Sequence, residues 1–186
     1  MSIYFFDPIP RYTIWGGTSC NENFGYTDKF EYGVGQVWAF SAQDQDSTVC
    51  MTAPFEGMTL KEMWEQHEEL FGCNEGIFPL LISLVGPEDH LSIQIHPDTE
   101  RAKKLGFPTG KNEAWYFIDT LENGNITYGC NAGSEEEVRQ MIAEDRWEDI
   151  PSICRFIPVS SCMFLRGSCT PFAPATWSMR SSRQRT

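Results

Sequence analysis

An amide, an imidazole and a carboxylate stand close together in the middle of this chain, in types and spacing that suit a divalent metal ion. Gln94 and His96 lie in the run Leu91-Ser92-Ile93-Gln94-Ile95-His96-Pro97-Asp98, and Glu113 in Gly110-Lys111-Asn112-Glu113-Ala114-Trp115-Tyr116. Leu91, Ile93 and Ile95 alternate with Ser92, Gln94 and His96, so a strand puts the apolar set on one face and the polar set on the other. Glu113 heads a second strand-like run, Ala114-Trp115-Tyr116-Phe117-Ile118. If the two strands share a sheet, the three donors converge on one point, and such donors ligate an ion of the zinc type. Each fragment alone reads more plainly: a Gln-x-His pair is more often hydrogen-bonded at a sheet surface, and Lys111 is a solvated loop residue.

The whole string decides between these readings. It resembles the type I mannose-6-phosphate isomerases, which carry L-S-[IV]-Q-x-H-P-D and then G-K-x-E-x-W-Y. The resemblance continues along the chain in family order. Arg11-Tyr12-Thr13-Ile14-Trp15-Gly16-Gly17 is similar to the family's opening I-W-G-G, and Gly35-Gln36-Val37-Trp38-Ala39-Phe40-Ser41 to its G-E-x-W-x-x-S. Phe78-Pro79-Leu80-Leu81-Ile82 matches F-P-L-L-I-K, and Ile126-Thr127-Tyr128-Gly129 and Arg146-Trp147-Glu148-Asp149 follow in order. Two positions depart from the pattern: Gln36 replaces the usual Glu, and Ser83 the usual Lys.

The resemblance implies a zinc-dependent aldose–ketose isomerase acting on mannose 6-phosphate and fructose 6-phosphate. Its ligands here are Gln94, His96 and Glu113, with one zinc per chain. Ser92 matches a serine that contacts the phosphate, and Lys111 an active-site lysine near the metal, placed for both catalysis and substrate binding. The chemistry moves a proton between adjacent carbons through a cis-enediol, with a Lewis acid near the two oxygens and a base to shuttle the proton. If the family lysine helps neutralise the phosphate, Ser83 removes a charge-assisted contact worth about 1.5–3 kcal/mol.

The elements that must position these residues are mostly strands. Short runs rich in Phe, Trp, Tyr, Ile and Val, punctuated by Gly, Pro and Asn, favour β structure. Two helices stand out. One spans Thr59 to Phe71, with Leu60, Met63, Trp64, His67, Leu70 and Phe71 at helical spacing and Thr59 with Glu62 as a capping box. The other spans Ser134 to Trp147, opened by Ser134 with Glu137 and carrying Val138, Met141 and Ile142. A shorter turn covers Thr99 to Leu105. His67 reads as a boundary residue and His90 as a turn residue, neither a ligand. The expected class is mainly β, a cupin-type jelly roll with attached helices (about 59–71 and 134–147), incomplete at the C-terminus; the cupin identity rests on the resemblance. In such a barrel Ser92, Gln94 and His96 face the mouth where small ligands bind.

Composition narrows the partners and the compartment. At 186 residues one core is the expectation, with room for a small appendage. A net charge of −12 and the absence of a basic stripe argue against nucleic acid as a partner. No run approaches membrane-spanning length, and Asp7 and two prolines break up the start, so neither a membrane anchor nor a signal peptide is expected. Seven cysteines without a C-x-x-C pattern read as free thiols in a reducing, cytoplasmic setting.

The end of the chain reads differently from the rest. No acidic residue follows Asp149, while five arginines do. After Val159 the likeness to the family stops, where a strand and V-P-A-G-x-[VIL]-H-A should follow, its His being the fourth metal ligand. The only histidines are His67, His90 and His96. Joining the third base of each codon to the first two of the next changes this picture. Met163-Phe164 then forces Val, Cys169-Thr170 gives only His or Tyr, and Thr176 through Ser182 permits Leu-Val-Tyr-Glu-Ile-Gln. The reading therefore expects residues 1–158 to be the N-terminal part of a mannose-6-phosphate isomerase, with most of its metal-binding cupin. It expects a frameshift near 159–162 and an out-of-frame tail over 159–186. Loss of the fourth ligand and of the following strand predicts weak metal binding, poor stability and impaired turnover. The alternative is a non-catalytic cupin fragment: a sugar-binding or regulatory module, or a non-functional truncation product. A cupin-type oxygenase is disfavoured, because the two-His start of such iron sites is missing.

Overall fold

The computed structural model describes residues 2–26, 29–91, 96–118, 125–155 and 161–164, giving the backbone alone at 125–128, 153–155 and 161–164. The chain divides into two compact units, Met1–Glu88 and Asp89–Thr186.

The first unit contains β1 (Phe6–Asp7), β2 (Ile9–Gly17), α1 (Ser19–Phe24), β3 (Val34–Phe40), β4 (Val49–Cys50), α2 (Leu60–Gln66), α3 (Glu68–Phe71) and β5 (Ile82–Val85). Strands β2, β3 and β5 form an antiparallel sheet in that order, and β1 pairs antiparallel with β4. In the register Arg11 faces Gln36, Gln36 faces Val85 and Trp38 faces Ser83. Beneath the sheet Cys20, Phe30, Val34 and Val37 are buried together, with Tyr26 and Leu84 packed against them. The strands approach closely where the side chains are smallest: a Cβ on Gly16 would overlap the backbone of Gly33 and Gly35.

A second apolar cluster forms around α2. Leu60, Met63 and Trp64 are buried, as their helical spacing requires. The Trp64 ring meets Phe71 and Phe78 edge-on at 5.3 and 5.2 Å, and Phe78 continues to Phe40 at 5.5 Å. The capping box forms as expected, with Glu62 N–H donating to Thr59 Oγ1 and Thr59 N–H to Glu62 Oε2. The single helix predicted over 59–71 is instead two, because His67 leaves helical geometry at φ −132° and ψ 63°. Its ring packs edge-on against Phe55 at 4.6 Å and its Nδ1 lies 2.9 Å from Glu69 Oε1. Tertiary contact has overridden a continuous periodicity.

Glu88 closes this unit. Its Oε1 accepts from the backbone N–H of Thr18 at 2.6 Å and of Ser19 at 3.0 Å, and from both hydroxyls at 3.2 and 3.1 Å. The carboxylate thus caps the free N–H groups at the start of α1, where Thr18 makes no side-chain cap of its own. It lies so near Gly17 that a Cβ there would overlap it. Burial works to raise the Glu88 carboxyl, but these hydrogen bonds outweigh it and hold it below its usual 4.5. A carboxyl lowered on folding stabilises above its unfolded value and loses that contribution as pH falls through the folded one. Glu88→Ala is therefore expected to cost about 1–2 kcal/mol at neutral pH, with the deficit vanishing in acid. Urea titrations of both proteins at the two pH values measure this, and a deficit independent of pH would refute it.

The buried Cys20 thiol shows the opposite effect. Burial pushes it up to about 11, and the Glu88 charge adds to this against a Gly86 N–H contact that lowers it. Cys73 and Cys130 are exposed, Cys20 and Cys50 buried, and all four are free thiols. Mass spectrometry after brief alkylation of the native chain should find Cys73 and Cys130 labelled and Cys20 untouched.

The second unit contains α4 (Thr99–Lys104), β6 (Glu113–Tyr116), β7 (Asn125–Cys130), α5 (Glu135–Ala143), a 3₁₀ turn (Trp147–Asp149), β8 (Pro151–Arg155) and β9 (Ser161–Phe164). Strand β7 pairs with β8, and β6 with β9, both antiparallel. The part of the expected out-of-frame tail that is described, β9, is thus a strand whose Phe164 stands opposite Glu113. Helix α5 stops earlier than the predicted span of 134–147. Asp145 adopts the left-handed conformation at φ 58°, and the N–H groups of Arg146 and Asp145 return to the carbonyls of Met141 and Ile142. This is a Schellman ending with Asp in the place glycine usually takes. At the other end Ser134 Oγ accepts from Glu137 N–H, but Glu137 reaches back to Gly133 N–H and not to Ser134. Among the described residues no helix is long and apolar enough to cross a membrane.

Candidate functional site

Lys111, His96 and Glu113 meet in the second unit, and the local sequence explains how. After His96, Pro97 resists helix, and Asp98 then caps α4 by accepting from Arg101 N–H at 2.8 Å. The chain leaves α4 and returns over its own start at Gly110. A Cβ there would lie 2.5 Å from Pro97 O and 2.8 Å from Thr99 N, so only glycine permits the approach. That contact carries Lys111 back beside His96. Strand β6 then begins at Glu113 and ends at Tyr116, two residues short of the end of the run that the sequence predicts as strand.

The distances are short. His96 Nε2 lies 2.7 Å from Glu113 Oε2. Lys111 Nζ lies 3.2 Å from the same oxygen and 3.4 Å from His96 Nε2. Trp115 Nε1–H donates to the other oxygen, Glu113 Oε1, at 2.9 Å. Despite these neighbours Glu113 Oε2 is buried without an aligned hydrogen-bond donor. Burial alone would raise the Glu113 carboxyl. The adjoining His96 imidazole, the Trp115 indole N–H and the Lys111 charge outweigh it and bring the group down to about 2. Glu113 is therefore an anion at any physiological pH.

An imidazole nitrogen beside an ionised carboxylate oxygen that lacks a donor is a donor pair suited to zinc, and these residues fit such an ion. Two histidine, cysteine or acidic groups alone do not make a complete site. Among the described residues no group of three such side chains comes together. Gln94 and Ser92, the expected amide ligand and phosphate contact, lie outside the described residues, as does the strand expected to carry them. Trp115 has a part that sequence reasoning left unassigned. Its signal was the i, i+2 spacing from Glu113, which puts both on one face of a strand. The two departures from the family pattern lie in the first unit on one sheet face. Gln36 Oε1 accepts from Trp38 Nε1–H at 3.2 Å, Ser83 stands opposite Trp38, and the Arg11 guanidinium covers the Trp38 ring at 4.3 Å.

Several known proteins resemble this chain. The family profile described as "Phosphomannose isomerase type I, catalytic domain" matches residues 6–128. "Mannose-6-phosphate isomerase ManA" of Bacillus subtilis (strain 168) is 39% identical over 148 residues, covering 78% of this chain and 46% of that protein. The "Mannose-6-phosphate isomerase" of Streptococcus mutans is 39% identical over 138 residues, 74% of this chain and 43% of its own length. The chain thus spans less than half the length of these relatives. In three dimensions the mannose 6-phosphate isomerase structure from Bacillus subtilis superposes with a TM-score of 0.82 at 33% identity, over 98% of this chain and 59% of that one. A structure from Archaeoglobus fulgidus shares the fold at TM-score 0.72 and 18% identity. The expected class, mainly β with attached helices and of the cupin type, stands. The profile match and the Bacillus subtilis likeness together make this chain a member of the type I phosphomannose isomerase family.

Proposed function

We propose that the chain carries the metal-binding part of an enzyme that interconverts mannose 6-phosphate and fructose 6-phosphate. The observation that supports this reading best is Glu113 Oε2, an ionised, buried oxygen with no aligned donor, 2.7 Å from His96 Nε2. Gln94, His96 and Glu113 would hold zinc, which when bound supplies a Lewis acid for the two oxygens of an enediol. Glu113 brings the negative charge, and Trp115 fixes its rotation through Oε1. Lys111 offers an ammonium beside the donors, placed to stabilise the oxygen that gains charge as a proton leaves the neighbouring carbon. Ser92 serves the phosphate. The acidic body and free thiols suit a cytoplasmic enzyme working on a small sugar phosphate.

A second reading is favoured by a specific feature of the sequence: no histidine follows His96, and Ser83 stands where the family has lysine. In that reading residues 1–158 are the family part, residues 159–186 are out of frame, and this chain is a weakly metal-binding fragment with impaired turnover.

One experiment separates them. Zinc content and the rate of mannose 6-phosphate conversion are measured for the 186-residue chain and for a version whose reading frame is shifted near residue 160. If only the shifted version binds a full equivalent and turns over, the fragment reading holds for this chain and the isomerase reading for its ancestor. Turnover by the short chain itself would show the fourth histidine to be dispensable. Stop codons in the shifted frame of the coding DNA would eliminate the out-of-frame tail.

A further inference from the structure

We propose that Lys111 is a built-in competitor of the metal ion: its ammonium holds the His96–Glu113 donor pair together, and a divalent cation must displace it to bind. This rests on the metal-binding reading above and adds to it the step that controls metal uptake. The geometry carries the argument. His96 Nε2 and Glu113 Oε2 approach to 2.7 Å, close enough for one divalent ion to reach both. A positive charge beside an ionised carboxylate stabilises it. Among the described residues the only lysine or arginine nitrogen within reach is Lys111 Nζ, at 3.2 Å from one donor and 3.4 Å from the other.

Exposure shows that the lysine is able to leave. Its side chain is 52% exposed, against 23% for Glu113 and 19% for His96. The donors are therefore fixed in the fold, whereas the ammonium reaches them from solvent on a flexible stem. Trp115 anchors Glu113 through its other oxygen, so moving the lysine does not release the carboxylate. A divalent ion bonded to both donors at about 2.0–2.1 Å would repel an ammonium a few ångströms away. Displacement then leaves Lys111 free to face an anionic oxygen of a sugar phosphate. One residue would thus serve metal and substrate in turn, with the metal entering first.

The test is a competition titration of zinc or cobalt against a chromophoric chelator, at fixed pH and ionic strength, for the parent chain, Lys111→Met and Lys111→Arg. Met keeps the length of the side chain without its charge, and circular dichroism checks that each variant keeps its fold. Lys111→Met should bind the ion about tenfold more tightly and take it up faster, while Lys111→Arg stays near the parent. Equal or weaker binding by Lys111→Met would overturn the competitor role and leave the isomerase reading standing. If neither the parent nor Lys111→Met takes up metal, the metal-binding reading falls and this role falls with it.

Discussion

Glu113→Gln is expected to weaken zinc binding by about a hundredfold or more while the strand around it stays folded. Loss of an outer-shell partner alone costs metal sites about 10–100-fold, and this change removes charge from a ligand itself. The substitution is conservative in shape. Its amide oxygen still accepts from Trp115 Nε1–H, the contact that fixes Glu113 Oε1 at 2.9 Å. What it loses is the negative charge that His96, Trp115 and Lys111 maintain by holding the carboxyl at about 2 despite burial. It also places an N–H₂ where Oε2 now lies 2.7 Å from His96 Nε2. Chelator competition and metal analysis after dialysis would read the loss, and an unchanged urea midpoint would show that the fold is spared. If Glu113→Gln held metal as tightly as the parent, the carboxylate would not be a ligand.

Trp64→Ala is expected to be the most damaging single change in the first unit, at about 3–5 kcal/mol. Trp64 is 5% exposed and sits among Phe71, Phe78, Leu60 and Met63. Its indole N–H donates to Gly76 O at 3.0 Å, so truncation also strands that carbonyl. The surrounding rings meet edge-on at 5.2–5.9 Å and belong to α2, α3, the turn before β5 and β3, which cannot all shift to fill the space. Trp147, 56% exposed, is the control: its alanine variant should stay within about 0.5 kcal/mol of the parent. Equal midpoints for the two variants in urea would mean that the aromatic cluster is not cooperative with the unit.

Features with local causes were legible in the sequence, and those with distant causes were not. Thr59 and Glu62 are three residues apart, so the capping box could be read directly and forms as read. Asp98 and Ser134 likewise cap the helices they precede. The break at His67 depends on Phe55, and the Asp145 ending on backbone geometry that glycine would have signalled and Asp did not. The donor pair at the site was legible because His96 and Glu113 sit in motifs, and the structure brings them together. Lys111 beside them was legible only through the family resemblance, because its position depends on Gly110 packing against Pro97 and Thr99. Likeness to the family fails after Val159, yet Ser161–Phe164 still forms the ladder with β6. A strand needs only a compatible edge and a few residues of β propensity, whatever the origin of its codons.

The Glu88 contact with Thr18 and Ser19 has a consequence for synthesis on the ribosome. It joins residues 70 and 69 positions apart, so the start of α1 cannot be capped until Glu88 has emerged. Translation at about 5–20 residues per second puts several seconds between the two events. Through that interval the nascent chain exposes Cys20, Phe30, Val34 and Val37 without the contact that closes their unit. Contacts of such long range slow folding more than they raise stability. The cap on α1 is thus one of the last contacts of this unit that synthesis allows to form.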